Sequence, residues 1–275
     1  MEETGVSESG GCEIQVWTAN PLTIKGWQWP RLTACLDQAE RDRALKFRTS
    51  ADRRAYLLAH ALRRAALSAS LKVPPNAVAF EHAGNGRPVL SKPVHRKVSF
   101  SLSHTRQLVV CAVTSMGPLG IDAEPLEPKH ADLDLLTGFM TLPDSDQRAT
   151  ALGDNPVRQF FFYWTVLEAY WKARGTGLSS NAPPLRCEKK GEVYEVCTVS
   201  ETPARPPALA IPVHSPPDMI ISMVLDRPPA HLGNSQPTVS YFGPDDLSWD
   251  QETSSGCLSR GKIFPGLPLG AGHTP

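Results

Sequence analysis

Asn155–Gly177 reads NPVRQFFFYWTVLEAYWKARGTG, and the architecture follows from it. Its pattern predicts one amphipathic helix with a marked start and stop. Asn155 can cap the first turn, and Pro156 suits the first helical position, where its missing N–H costs nothing. Gly175 and Gly177 follow Lys172 and Arg174, which is how helices tend to end. Val157, Phe160, Phe161, Trp164 and Trp171 recur at helical spacing and make one apolar face. Glu168 falls on that face, between Trp164 and Trp171. A carboxylate among aromatics is costly unless it is paired, hydrogen-bonded or bound to a metal. Two readings stay open: an internal ion pair with Lys172, one turn on, or a functional carboxylate.

Upstream, Leu119–Glu124 alternates as a strand. Leu119, Ile121 and Ala123 face the core, and Gly120, Asp122 and Glu124 face the other side, with Pro125 as the end. Asp122 and Glu124 therefore emerge together, within reach of one small ion at a rise of ~3.3 Å per residue. A chance D-x-E on a surface strand is common, so the pair alone says little. Carboxylate-only ligation suits Mg²⁺, which takes its remaining ligands from water and substrate phosphates. Glu168 would complete the protein's share, and Lys172 would face the same phosphates.

Before this strand, Asp52–Leu71 reads as a helix whose buried face is Ala55, Leu58, Leu62, Ala65, Ala66 and Ala69. Arg41, Arg43, Lys46, Arg48, Arg53, Arg54, Arg63 and Arg64 crowd its neighbourhood. They are either a solvated helix face or an anion-binding wall; no nucleic-acid recognition motif accompanies them. Short strands are expected near Val16–Trp17 and Val78–Glu81, with a turn at 84–88. Val98, Phe100 and Leu102 alternate with Ser99, Ser101 and Ser103 up to His104, and Leu108–Val113 is a continuous buried strand. Past the long helix, Leu185–Glu188 and Val193–Val199 read as a hairpin around Lys190-Gly191, and Met219–Leu225 as a last buried strand. The two halves share this order without any residue-level repeat.

The chain of 275 residues is long enough for a real core. The expected division is 1–12 disordered, 13–117 an N-terminal lobe, 118–225 a C-terminal lobe with the metal site, and 226–275 an irregular tail rich in Pro, Gly and Ser. Half of the 26 prolines lie after residue 200, which marks that tail. Basic and acidic residues balance at 28 each, so net charge suggests no nucleic-acid partner. No signal peptide is expected from the acidic, polar start, and no apolar run is long enough to span a bilayer. The six cysteines form no CxxC pair, which leaves zinc and thioredoxin-like chemistry unsupported and points to a reducing cytoplasm. Gly256–Lys262 has the spacing of a P-loop, yet Ile263 stands where Ser or Thr must hold Mg²⁺. Ser103-His104 is no hydrolase pair, since neighbours on a strand point apart and no G-x-S-x-G elbow exists.

Gly120-Ile121-Asp122-Ala123-Glu124, followed by Trp164-Thr165-Val166-Leu167-Glu168-Ala169-Tyr170-Trp171-Lys172, resembles the signature of 4′-phosphopantetheinyl transferases of the long, pseudo-dimeric, surfactin-synthetase-activating type. Phe100–His104 is similar to that family's Phe-x-x-Ser-His segment, Gly86-Arg87-Pro88 to its Gly-Lys-Pro turn, and Arg41–Phe47 to its basic N-terminal segment. The resemblance covers about residues 30–225. It implies an α/β (α+β) fold of two similar lobes related by a pseudo-twofold, each a small sheet packed on a long helix, with coenzyme A between them. It implies transfer of the phosphopantetheine arm to a serine of an acyl, peptidyl or polyketide carrier protein, with release of adenosine 3′,5′-bisphosphate. Asp122, Glu124 and Glu168 are then expected to hold Mg²⁺, Glu168 to serve as base, and Lys172 to contact the diphosphate. Arg41, Arg87, Ser103 and His104 are expected at the nucleotide end, His104 at the 3′-phosphate. Leu167 departs from the family's basic residue and is expected to alter carrier or surface contacts. Ala123, Ala44 and Ala55 also depart, the last two near the nucleotide. A catalytically inactive module that binds carrier protein or coenzyme A competes with this reading, as does an unrelated Mg²⁺ phosphodiesterase; the three carboxylates and Lys172 together favour the transferase. A monomer is expected, since one chain supplies both lobes.

Overall fold

The computed structural model describes residues 13–84, 86–94, 98–179, 181–200, 206–230, 237–243 and 262–263. The segment 1–12 and the run Gly256–Gly261 lie outside the described residues.

The N-terminal lobe contains β1 (Glu13–Ala19), α1 (Trp29–Thr33), α2 (Gln38–Leu45), α3 (Ser50–Leu71), β2 (Ala79–His82), β3 (Pro88–Lys92), β4 (Ser99–His104) and β5 (Val109–Thr114). The C-terminal lobe follows with β6 (Leu119–Pro125), α4 (Leu133–Leu136), β7 (Met140–Thr141), α5 (Ser145–Leu152) and α6 (Pro156–Arg174). It continues through β8 (Leu185–Lys190), β9 (Val193–Thr198), β10 (Ala208–Pro212) and β11 (Met219–Leu225), and β12 (Thr238–Phe242) and β13 (Lys262–Ile263) come last.

The shared order of the two halves is a shared topology. In the first lobe β1 leads to α3, then the β2–β3 hairpin, then β4 and β5, and β5 lies antiparallel between β1 and β4. In the second, β6 leads to α6, the β8–β9 hairpin, β10 and β11, and β11 lies antiparallel between β6 and β10. Each lobe is thus a sheet packed on one long helix, the two-layer solution that buries a sheet face and a helix stripe at once.

The long helices begin and end on sequence signals. Thr49 caps α3 by accepting from the Asp52 amide, and Asn155 caps α6 by accepting from the Arg158 amide. Gly175 closes α6 at φ 74°, a left-handed position that glycine takes without a Cβ penalty. On α3, Leu58, Ala59, Leu62, Ala65 and Ala66 are buried against the sheet, with Trp17, Val109, Cys111 and Val113 opposite, and Ala55 is buried as well. The other face of that sheet is buried too. Ile14, Val16, Val110 and Ala112 meet Leu119, Ile121 and Ala123 of β6 in the core between the lobes. The alternation expected for β6 holds.

Three expectations need correction. The α6 helix is not a single apolar stripe: Phe162, Tyr163, Thr165, Val166, Leu167, Ala169 and Tyr170 are buried as well, because strands cover one side and α4, α5 and the β8–β9 hairpin close around the rest. Trp164 and Glu168 mark its more open side, so Glu168 is half-buried and not enclosed by core aromatics. Leu167 is 0% exposed, so it packs in the core and offers no surface contact. The segment after 225 is not wholly irregular. β12 pairs in parallel with β1, and the Phe242 ring stacks on Trp17 with centroids 4.2 Å apart. The alternation Val239, Tyr241 against Ser240, Phe242 gives β12 two usable faces, which its Pro- and Gly-rich surroundings hide from a composition reading.

Candidate active site

The site is built on the contact between β6 and α6. A Cβ on Gly120 would stand 1.8 Å from the Ala169 carbonyl oxygen and 2.6 Å from the Ala173 nitrogen. Only glycine lets the helix backbone lie this close to the strand. The close approach brings Lys172 of α6 onto the same edge of the sheet as Asp122.

β6 is the edge strand of its sheet, and the outward backbone groups of Ile121 are satisfied by side chains, one from the opposite lobe and one from α6 of its own. The Ile121 amide donates to Ser101 Oγ of β4 at 3.0 Å, and the Ile121 carbonyl accepts from Lys172 Nζ at 3.2 Å. Lys172 Nζ also donates to Asp122 Oδ1 at 2.6 Å. Lys172 therefore forms its ion pair with Asp122, not with Glu168 as one sequence reading allowed.

Asp122 is 4% exposed. Its Oδ1 accepts from Lys172 and from Ser103 Oγ, the latter at 2.9 Å. Its Oδ2 is buried with no hydrogen-bond partner among the described residues. Burial, and then the charge of Asp122, push the Glu124 carboxyl up to about 7. Burial followed by Asp122 also raises Glu168, with Lys172 opposing. The charges of Asp122 and Lys172 thus act on both glutamates, in opposite directions. Among the described residues, no group of three carboxylates already surrounds one point. The donor set nevertheless fits a hard divalent cation in charge and chemistry: all-oxygen, mutually repelling, with one buried carboxylate oxygen unclaimed.

A cleft of about 920 Å³ opens beside this edge. Lys172 and Gly175–Gly177 form one side of it, and Arg43, Tyr56, His60, Arg63, Arg87 and His104 belong to its lining. The His104 ring is exposed to the cleft; desolvation by the surrounding walls, then the positive neighbours His60 and Lys172, lower its pKa. Arg87 reaches the second lobe, with Nη1 donating to the Ala173 carbonyl at 3.5 Å. On the far side of the carboxylates, Glu124 borders an apolar groove of about 400 Å³ walled by Leu135, Phe160, Phe161 and Trp164.

Of the site residues expected from the sequence, Arg87, His104 and Lys172 line one cleft, and Lys172 joins it to Asp122. Two others do not join them there. Arg41 turns away, donating to the Leu36 and Ala34 carbonyls at 3.1 and 3.2 Å. Ser103 donates to Asp122 and does not line the cleft.

The arginine wall is only partly a wall. Arg63 and Arg64 are 4% and 2% exposed and converge on Glu40 at 2.7 and 2.9 Å, with His60 Nδ1 2.9 Å from the same carboxylate. Burial works to raise Glu40's pKa, yet the bonds from His60 and Arg64 outweigh it and hold the carboxyl at about 2. Arg64 also binds Asp37 and the Val78 carbonyl. Tyr56 and His60 were not singled out in the sequence, although with Arg63 they recur at four- and three-residue spacing as a polar stripe on an alanine-rich helix. That period was the available signal.

Two family models match the chain: "4′-phosphopantetheinyl transferase, N-terminal" over residues 23–116, and "4′-phosphopantetheinyl transferase superfamily" over 118–215. Among curated proteins, the 4′-phosphopantetheinyl transferase HetI of Nostoc sp. is 34% identical over 169 residues, covering 61% of this chain and 70% of its own length. A phosphopantetheinyl transferase of Thraustochytrium sp. is 30% identical over 181 residues, 60% of this chain and 62% of its own. The 4′-phosphopantetheinyl transferase Sfp of Bacillus subtilis is 25% identical over 149 residues, 54% of this chain and 64% of its own. The chain thus spans a little under two thirds of the last two relatives. No helix among the described residues is long and apolar enough to cross a membrane.

Proposed function

Because this chain belongs to the 4′-phosphopantetheinyl transferase superfamily, we propose that it moves the phosphopantetheine arm of coenzyme A onto a serine of an apo carrier protein. The observation that carries the reading is the position of Lys172. It borders the cationic cleft and at the same time holds Asp122 at 2.6 Å, so one residue joins an anion-binding space to the Asp122 carboxylate. A cleft of about 920 Å³ falls in the range that accommodates a cofactor-sized ligand, roughly 300–1,000 Å³.

In this reading the nucleotide end lies among Arg43, Tyr56, Arg87 and His104, where guanidinium forks suit phosphate oxygens. The diphosphate meets Lys172 beside Asp122, Glu124 and Glu168, and the pantetheine arm runs toward the groove of Phe160, Phe161 and Trp164. Asp122, Glu124 and Glu168 would hold Mg²⁺, which when bound supplies charge neutralisation at the diphosphate. The carrier serine oxygen bonds to the phosphorus that bears the pantetheine arm, and the bond from that phosphorus to the bridging oxygen breaks. Adenosine 3′,5′-bisphosphate leaves with the electron pair. Glu168 takes the serine proton; its raised pKa, caused first by burial, makes it a stronger base than an ordinary carboxylate. Lys172 donates toward the charge that develops on the leaving phosphate. Both walls of the cleft come from one chain, so a monomer suffices.

The test is incubation with coenzyme A, Mg²⁺ and two apo carrier proteins, one of fatty-acid type and one of peptide-synthase type, read by intact mass. A mass gain on the carrier, lost with chelator and in Glu168→Gln, is the expected result. Coenzyme A bound without any transfer to either carrier would favour a binding module, and no binding of coenzyme A would overturn the reading.

A further inference from the structure

The hydroxyl of Ser103 lies 2.9 Å from Asp122 Oδ1, in a position that is 8% exposed. That oxygen already accepts from Lys172, so two donors clamp one side of the carboxylate. Oδ2, on the other side, is buried and has no partner among the described residues. A carboxylate held this way has one rotamer and presents one oxygen. The strand that supplies Ser103 also fixes the backbone of β6, since Ser101 Oγ accepts from the amide of Ile121, the residue before Asp122. Two serines of the N-terminal lobe, alternate residues on β4, thus set both the position of β6 and the orientation of its acid. Ser101, Leu102 and His104 of the same strand also line the cleft, and Ser103 does not.

We propose that Ser103 is a positioning residue for the divalent cation: its hydroxyl, delivered from the opposite lobe, fixes Asp122 so that Oδ2 is the ligand atom. This rests on the transferase reading above. It departs from the role in nucleotide binding that resemblance gives Ser103. Groups that hydrogen-bond a metal ligand orient it and tune its basicity, and losing one typically costs about 10–100-fold in metal affinity. Ser103→Ala removes the hydroxyl and leaves Asp122 and Lys172 in place. Ser103→Thr restores a hydroxyl on the same carbon.

The experiment has two arms. In the first, Mn²⁺ binding to the full chain in the presence of coenzyme A is titrated by electron paramagnetic resonance. In the second, binding of adenosine 3′,5′-bisphosphate is titrated calorimetrically in chelator. The expected result is a Mn²⁺ affinity for Ser103→Ala weakened by about tenfold or more, a Mn²⁺ affinity for Ser103→Thr close to wild type, and nucleotide affinity alike in all three. A urea midpoint within error of wild type shows that the alanine variant folds. Mn²⁺ affinity unchanged in Ser103→Ala overturns the proposal. So does a loss confined to nucleotide affinity, which would place Ser103 at the nucleotide. A wild-type protein that binds the nucleotide and coenzyme A but takes up no Mn²⁺ would sink the metal assignment itself, and this inference with it.

Discussion

Lys172 Nζ stands 2.6 Å from Asp122 Oδ1, and this ion pair ties the end of α6 to the edge strand of its sheet. The side chains are 30% and 5% exposed, so the lysine is partly wet and the aspartate is not. Replacing Lys172 by Met leaves a buried carboxylate short of its only cationic partner among the described residues. The expected loss is on the order of 1–3 kcal/mol of stability, the cost of stranding a buried charged group that keeps one other donor. Urea denaturation with and without Mg²⁺ measures it. Added Mg²⁺ should recover part of the loss, and transfer activity should fall in either case.

The Glu124 carboxyl titrates at about 7 instead of the usual 4.5, first because of burial and then because of Asp122. Between those two values the folded protein keeps a proton that the unfolded chain releases. Without a divalent cation, stability therefore declines as pH rises from 4.5 to 7. A cation must displace that proton. Its apparent affinity is expected to climb with pH up to about 7 and to level off above it. Calorimetric titration with Mg²⁺ and coenzyme A across that range checks the slope; Glu124→Gln should flatten it.

Gly120→Ala places a methyl group against the Ala169 carbonyl, 1.8 Å from the position of the new Cβ. Backbone cannot rotate out of the way as a side chain can, so α6 must shift. Overpacking of this kind costs roughly 1–3 kcal/mol. The shift also moves Lys172 relative to Asp122, and activity should drop further than stability does. Thermal unfolding alongside the transfer assay separates the two, and an unchanged turnover would contradict the β6–α6 contact as the frame of the site.

Glu40 holds Arg63, Arg64 and His60 together beneath the cleft. Glu40→Gln leaves two buried guanidiniums without their shared countercharge, at an expected cost of about 3–5 kcal/mol. Since the wild-type carboxyl is held at about 2 against a usual 4.5, its stabilisation is complete above 4.5 and is lost as pH falls toward 2. Acid titration followed by circular dichroism should show wild type losing its advantage over the variant in that window.

Much of this chain was legible because its signals are local. Asn155-Pro156 and Gly175 bound α6 by backbone geometry alone. Alternation along Leu119–Glu124 put Asp122 and Glu124 on one face, and the four-residue step from Glu168 to Lys172 put those two on one side of a turn. The order of elements in each half already described the two-lobe topology. Other features depend on which surface meets which. Asp122 is gripped by Ser103 and Lys172, 19 and 50 residues away in sequence. Gly120 looked like one more residue on a polar face until α6 came to rest on it. Arg63 and Arg64 were read as charges for a surface or an anion, and the fold turned them inward onto Glu40. Phe242, in a tail that composition marks as irregular, stacks on Trp17. Which helices and strands form, and which acids share a side, could be read along the chain, because periods of two and of three to four residues are written in neighbours. What each acid pairs with came from packing, since a buried charge takes its partner from whichever element is brought within reach.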